Sequence, residues 1–256
     1  MIAQRYSQKK TLGDMSLQRR RTGLTWVEIL VILGIMVLLI ALLAPSMRFG
    51  NTREAARRSQ CKNNLKQIGL ALYNYHDAYG AFPPAYTVDS HGKPLHSWRT
   101  LILPYLDQES LYQKINLAKP WDDPANVDAL KSFPPTYSCP SATNPPGMTT
   151  YLAVTGKDSC FRPGQSRMIS EITDGTSNTL MVVDITQTHA VHWMSPQDAD
   201  EALLLGMAGE VKDLQHIGGF QGALADGSVR FFSVNLPATT LKALISISAN
   251  DTVGEF

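Results

Sequence analysis

Several kinds of site are missing from this sequence. Its six histidines include no H-E-x-x-H pair, no acidic run has the spacing of an EF-hand loop, and no glycine-rich segment could cradle a phosphate. A G-x-S-x-G elbow is absent too, so Ser177 with His189 or His192 is the only nucleophile set on offer, with Asp184 as the carboxylate that would complete a shared pocket. Cysteine is sparse at three, which rules out a disulfide-dense scaffold. Charge of one sign is also lacking, since 23 Lys and Arg stand against 22 Asp and Glu in 256 residues. That balance excludes the basic surface a nucleic-acid binder needs.

The balance conceals an asymmetry. Residues 1–23 hold six of the basic residues and only Asp14 among the acids, leaving 17 against 21 in the remainder, a formal charge of −4. This basic opening has no apolar periodicity and reads as a leader. It ends in Arg19-Arg20-Arg21-Thr22-Gly23, and an apolar run from Leu24 to Ala44 follows, stopping at Pro45. Twenty-one residues at about 1.5 Å each make a helix of roughly 30 Å, the thickness of a bilayer core. Arginines directly before the run place the N-terminus in the cytoplasm and the rest of the chain across the inner membrane, as a single-pass protein. The run carries one charge, Glu28, and a carboxylate inside a membrane costs about 2.5–3.5 kcal/mol, so it is expected to serve a partner unless it lies at the hydrated interface.

These residues resemble the type IV prepilin signal shared by pilins and secretion pseudopilins. The resemblance implies cleavage after Gly23 by a prepilin peptidase, N-methylation of Leu24, and pairing of Glu28 with the terminal amine of a neighbouring subunit. Leu24 and Trp26-Val27 replace the family's usual Phe and Leu-Ile, apolar for apolar. Farther on, Glu54-Ala-Ala-Arg-Arg-Ser-Gln-Cys61, Ser97-Trp98-Arg99-Thr100, Tyr137-Ser138-Cys139-Pro140-Ser141, Ile172-Thr173-Asp174-Gly175-Thr176-Ser177-Asn178-Thr179, and His216 spaced from Asp226-Gly227 as H-x9-DG occur in order. Together they resemble the prepilin-type proteins of planctomycete-like bacteria that carry an exported domain of unknown function, DUF1559-like.

The periodicity beyond Pro45 agrees. Cys61, Leu65, Ile68, Leu72 and Tyr75 share one helical face, with the intervening Arg and Lys residues turned outward. Gly80 and Pro83-Pro84 end that helix. Short amphipathic helices are expected over 97–116 around Trp98, Leu101, Leu106, Leu111 and Ile115, and another at 127–131. Strands are expected at 150–154, 179–185, 219–225 and 228–234, the last two joined by a type I′ turn at Asp226-Gly227. The predicted fold is α+β and pilin-like. A long N-terminal helix, transmembrane then amphipathic, packs on a mainly antiparallel sheet with an expanded helix and loop middle. Its segments are a leader 1–23, a membrane helix 24–45, an amphipathic continuation 46–80 and an exported domain 81–256.

Export to an oxidising compartment favours paired cysteines. The family-like settings of Cys61 and Cys139 point to that pair, closing a loop of almost 80 residues; Cys139 with Cys160 is the rival. No cofactor, metal or catalytic residue is expected. The groups nearest to a ligand set are His216 with Asp226, as two metal ligands or an acid/base pair, and Asp174 and Asn178 with Ser177, as oxygen ligands to calcium, which the resemblance also suggests because pseudopilins hold calcium in a loop of the exported domain. Otherwise Asp226 and Asp174 set turns and His216 is structural. The function implied is that of a structural subunit of a pilus or pseudopilus-like secretion assembly. The alternatives are a surface-anchored binding module and a displayed enzyme.

Overall fold

The computed structural model describes residues 25–43, 49–207 and 213–249. The chain divides into two compact units, Met1–Phe49 and Gly50–Phe256.

The first unit contributes α1, Trp26–Leu43, an 18-residue helix whose only charge, Glu28, lies in its first turn. The Thr25 amide donates to Glu28 Oε2 at 2.8 Å and the Glu28 amide to Thr25 Oγ1 at 3.4 Å. Thr-x-x-Glu is thus a reciprocal capping box that satisfies two of the amides a helix start leaves open. Side chains from Trp26 to Ile40 are exposed, Trp26 at 81% and Val37 at 65%. Among the described residues no helix is long and apolar enough to cross a membrane. At about 1.5 Å per residue α1 measures about 27 Å, just short of a bilayer core. Gly23, Leu24, Ala44 and Pro45, the ends of the expected span, lie outside the described residues.

The second unit begins one residue into α2, Phe49–Tyr79, which stops at Gly80, whose φ of +75° suits a residue without a side chain. Cys61, Leu65, Ile68 and Leu72 are completely buried, whereas Lys62 and Lys66 are exposed, so the predicted face is the packed one. It lies against one side of a four-stranded antiparallel sheet formed by β4 (Tyr151–Ala153), β5 (Leu180–Asp184), β7 (Gly219–Leu224) and β8 (Val229–Ser233), in the order β4-β5-β7-β8. Tyr151, Ala153, Met181, Val182, Ala223 and Val229 share that core with α2. The opposite side, including Leu152, Leu180, Phe220, Leu224 and Phe232, is covered by α6 (Glu201–Gly206) and α7 (Ala238–Ile245). Because both faces are covered, β5 and β7 are buried at every residue, and neither alternates apolar with polar: β5 is apolar up to Asp184 and β7 carries Gln221 as its one polar side chain.

All four expected strands are present. The β7–β8 turn differs from expectation. A type I′ turn needs positive φ at both central residues, but only Gly227 has it, at +79°. The Gly227 amide donates to the Leu224 carbonyl at 2.9 Å and the Leu224 amide to Ser228 O at 2.8 Å. Ala225, Asp226 and Gly227 thus form a three-residue loop with a left-handed third position, and Asp226 Oδ1 accepts the Ser228 amide at 2.8 Å. Gly227 meets α2: a Cβ built on Gly69 would lie 3.6 Å from Gly227 Cα, and the Tyr73 hydroxyl donates to Ala225 O.

Two small sheets went unpredicted, β1 (Tyr86–Val88) with β2 (Pro94–Ser97) and β3 (Met148–Thr149) with β6 (Val191–His192). The middle holds three single-turn helices, α3 (Trp98–Leu101), α4 (Glu109–Tyr112) and α5 (Val127–Leu130). Their apolar anchors are Trp98, Ile102, Leu103, Leu111 and Ile115; Leu101 and Leu106 are only half-buried. Arg99 fixes this middle to the sheet. Its guanidinium is wholly buried, pairs with Asp198 at 2.6 Å, and donates to the carbonyls of Trp193, Ser195 and Gln197 at 3.0, 3.1 and 2.8 Å. Asp198 also accepts from the Trp98 indole at 3.0 Å and the Ala153 amide at 2.8 Å. The Trp98-Arg99 dipeptide is therefore a packing device. Burial pushes the Asp198 carboxyl up to about 6, against the pull of Arg99.

Candidate metal centre

On α2, Glu54, Cys61, Leu65, Ile68 and Leu72 are spaced seven, four, three and four, which keeps Glu54 and Cys61 on the inward face. Cys61 meets three residues brought from distant parts of the chain. Cys139 follows the single 3-10 turn Pro135–Tyr137, in a loop whose Ala142 amide donates to the Cys139 carbonyl at 3.0 Å. Asn64, one turn after Cys61, holds that loop by donating to Ser138 O at 2.8 Å. Asp184 is the last residue of β5, opposite Tyr151 on β4. His216 pairs with Gly219 at the entry to β7.

The two sulfurs, an Asp184 oxygen and a His216 nitrogen all lie within 4.8 Å of one another. Cys61 Sγ is 3.0 Å from Asp184 Oδ2, His216 Nε2 is 3.6 Å from the same oxygen, and Cys139 Sγ is 3.9 Å from His216 Nε2. None of the four residues exceeds 3% exposure. The atoms turned away from the centre have partners of their own. His216 Nδ1 lies 2.9 Å from Glu54 Oε1, and Asp184 Oδ1 accepts the Thr150 hydroxyl at 2.5 Å. A carboxylate beside Nδ1 selects the tautomer with its proton there, leaving the Nε2 lone pair for the centre.

Electrostatically the centre gathers two thiols and a carboxyl around one histidine, with no Lys or Arg among the four. Burial pushes the Asp184 carboxyl well above its ordinary value, and Cys139 adds to the effect. The Cys61–Cys139 hydrogen bond divides the two thiols, raising Cys61 and lowering Cys139 to about 5, with His216 and the Ser141 amide also favouring a Cys139 thiolate. His216 is raised although burial opposes it, because Cys139 and Glu54 both hydrogen bond to the ring.

The expected site residues are thus redistributed. Among the described residues neither Asp226 nor Asp174 joins His216 in a metal-binding group. Asp226 sets its turn, Asp174 Oδ2 accepts the Ala249 amide at 2.7 Å, and His216 belongs to the sulfur cluster instead. Cys61 and Cys139 do meet, as expected of a pair, but all three cysteines are free thiols. Cys160 lies outside the cluster, with burial raising its thiol to about 12. The nucleophile set is dispersed: Ser177 is exposed, His189 Nδ1 lies 2.9 Å from Thr186 Oγ1, His192 stacks on Trp121, and Asp184 is taken by the cluster. Glu28 bonds within its own capping box. Sequence reasoning overlooked Glu54 and gave Asp184 a different role. The available signals were Glu54 on the Cys61 face and a carboxylate closing an otherwise apolar β5.

A family model described as a protein of unknown function (DUF1559) matches residues 50–215, which include Glu54, Cys61, Cys139, Thr150 and Asp184 and end one residue before His216. Comparison with curated proteins and with solved structures finds no match.

Proposed function

The chain belongs to the DUF1559 family, and from that premise we propose that it is a prepilin-like structural subunit of a type IV pilus or type II secretion pseudopilus-like assembly. The supporting observation is α1, an apolar helix with exposed side chains and a single carboxylate in its first turn. Such a surface is stable only in lipid or against other apolar helices. In this reading prepilin peptidase cuts after Gly23, Leu24 is N-methylated, and the chain sits as a single pass in the inner membrane with its larger unit outside. Neighbouring subunits then pack through α1, where Glu28 meets the terminal amine of the next copy.

The capping box sharpens the test. Glutamine serves at the third helical position of such a box as well as glutamate does, but it cannot form an ion pair. The Glu28→Gln variant is therefore expected to insert and be processed normally, giving an N-methylated Leu24 by mass spectrometry, while its crosslinked multimers disappear. Multimers at the wild-type level would refute the pairing role, and a terminus other than Leu24 would refute passage through the prepilin pathway.

A further inference from the structure

We propose that Cys61, Cys139, Asp184 and His216 form a structural zinc site that ties α2, the Cys139 loop, β5 and the β7 entry together. The assignment is independent of the assembly role, because it concerns only the folded unit beyond α1.

Three observations carry it. The ligand set of two sulfurs, one imidazole and one carboxylate is what zinc accepts in a four-coordinate site. Bond lengths of about 2.0–2.3 Å place the corners of a tetrahedron about 3.3–3.8 Å apart. Separations of 3.0, 3.6 and 3.9 Å in the cluster fall around that range, and all four atoms lie within 4.8 Å of one another. The outer contacts are also those that orient metal ligands: Glu54 on His216 Nδ1 and Thr150 on Asp184 Oδ1 leave Nε2 and Oδ2 facing the sulfurs.

A Cys61–Cys139 disulfide is the competing chemistry. It would account for the sulfurs alone, leaving a fully buried carboxylate against an imidazole with no reason to converge on them. Zinc accounts for all four residues. Its binding displaces to solvent the protons held by the thiols, by the Asp184 carboxyl and by His216 Nε2, so that two thiolates and a carboxylate surround the ion and the imidazole binds as the neutral base. Four protein ligands with no exposed position make the site structural; a catalytic zinc would keep a corner for water.

The test uses the full chain extracted in detergent, without an oligohistidine tag or chelator. Plasma mass spectrometry is expected to find one zinc per chain, with Cys61 and Cys139 resisting alkylation until zinc is removed. Cobalt exchanged into the same protein should give the visible absorption of tetrahedral thiolate coordination. Asp184→Asn removes a ligand and could disturb folding, so Thr150→Val, which alters only the outer contact, supplies the second variant. Its zinc affinity should fall about 10- to 100-fold with the fold retained. A Cys61–Cys139 disulfide in the intact mass would overturn the proposal. So would free thiols with no zinc, no uptake of added zinc and no cobalt spectrum.

Discussion

Two buried polar clusters brace the second unit, and they are balanced in different ways. Around Arg99 one cation meets one carboxylate and a ring of carbonyls, so every charge has its opposite within the fold. Around Asp184 two thiols, a carboxylate and a histidine meet with no Lys or Arg among the four, while the exposed Arg57 lies 3.9 Å from the outer carboxylate, Glu54. The contrast teaches how to read a buried ionisable group. A set that is neutral by itself is packing, whereas one with surplus acid points to a cation supplied from outside.

The largest effect should come from breaking the self-neutral cluster. Arg99→Met leaves Asp198 buried without its partner and should cost about 3–5 kcal/mol in denaturant unfolding, much of it recovered in Arg99→Met/Asp198→Leu. A loss below about 1 kcal/mol would mean that Asp198 finds compensation elsewhere.

Removing the proposed cation should come second. Chelation is expected to lower the thermal midpoint of the wild-type protein by about 5–10 °C and to leave Asp184→Asn unmoved. Equal shifts in both proteins would place the chelator's action outside the cluster.

The smallest effect marks the surface limit of the same comparison. Glu171 accepts the Met168 amide at 2.9 Å and pairs with Arg162 and Arg167, each at 3.1 Å, but stays partly exposed. The Met168 amide first, then the two guanidinium groups, hold its carboxyl below the usual range. A depressed carboxylate adds stability above its unfolded pKa and loses it as pH falls through the folded value. Glu171→Gln should therefore cost less than about 1 kcal/mol at pH 7, and the difference from wild type should vanish in acid. A difference that persists at pH 2 would assign the effect to packing.

Legibility followed the range of the interactions. The α2 face and strands β4, β5, β7 and β8 were readable because burial imprints a period or an apolar run on neighbouring residues. The β1–β2 and β3–β6 pairs were not, since strands of two to four residues carry no pattern and exist through contacts made elsewhere. The H-x9-DG signature shows both cases. Its Asp226-Gly227 is a local turn, recognisable from the dipeptide, although Asp226 avoids positive φ and the loop needed a third residue. Its His216 looked like a solitary structural histidine, because its partners are 77 and 162 residues away at Cys139 and Glu54.

The sequence by itself determined what depends on near neighbours: the apolar helix with one carboxylate, the amphipathic α2, the apolar strands and the turn positions. Cys61 and Cys139 were also visible as two thiols worth pairing. Tertiary structure alone decided that Asp184 and His216 join them, and that Arg99 and Asp198 close a separate cluster. A side chain's chemistry is written in its residue type, but its partners are set by chain crossings that bring residues from 77 to 162 positions apart within a few ångströms, and no local pattern encodes such a crossing.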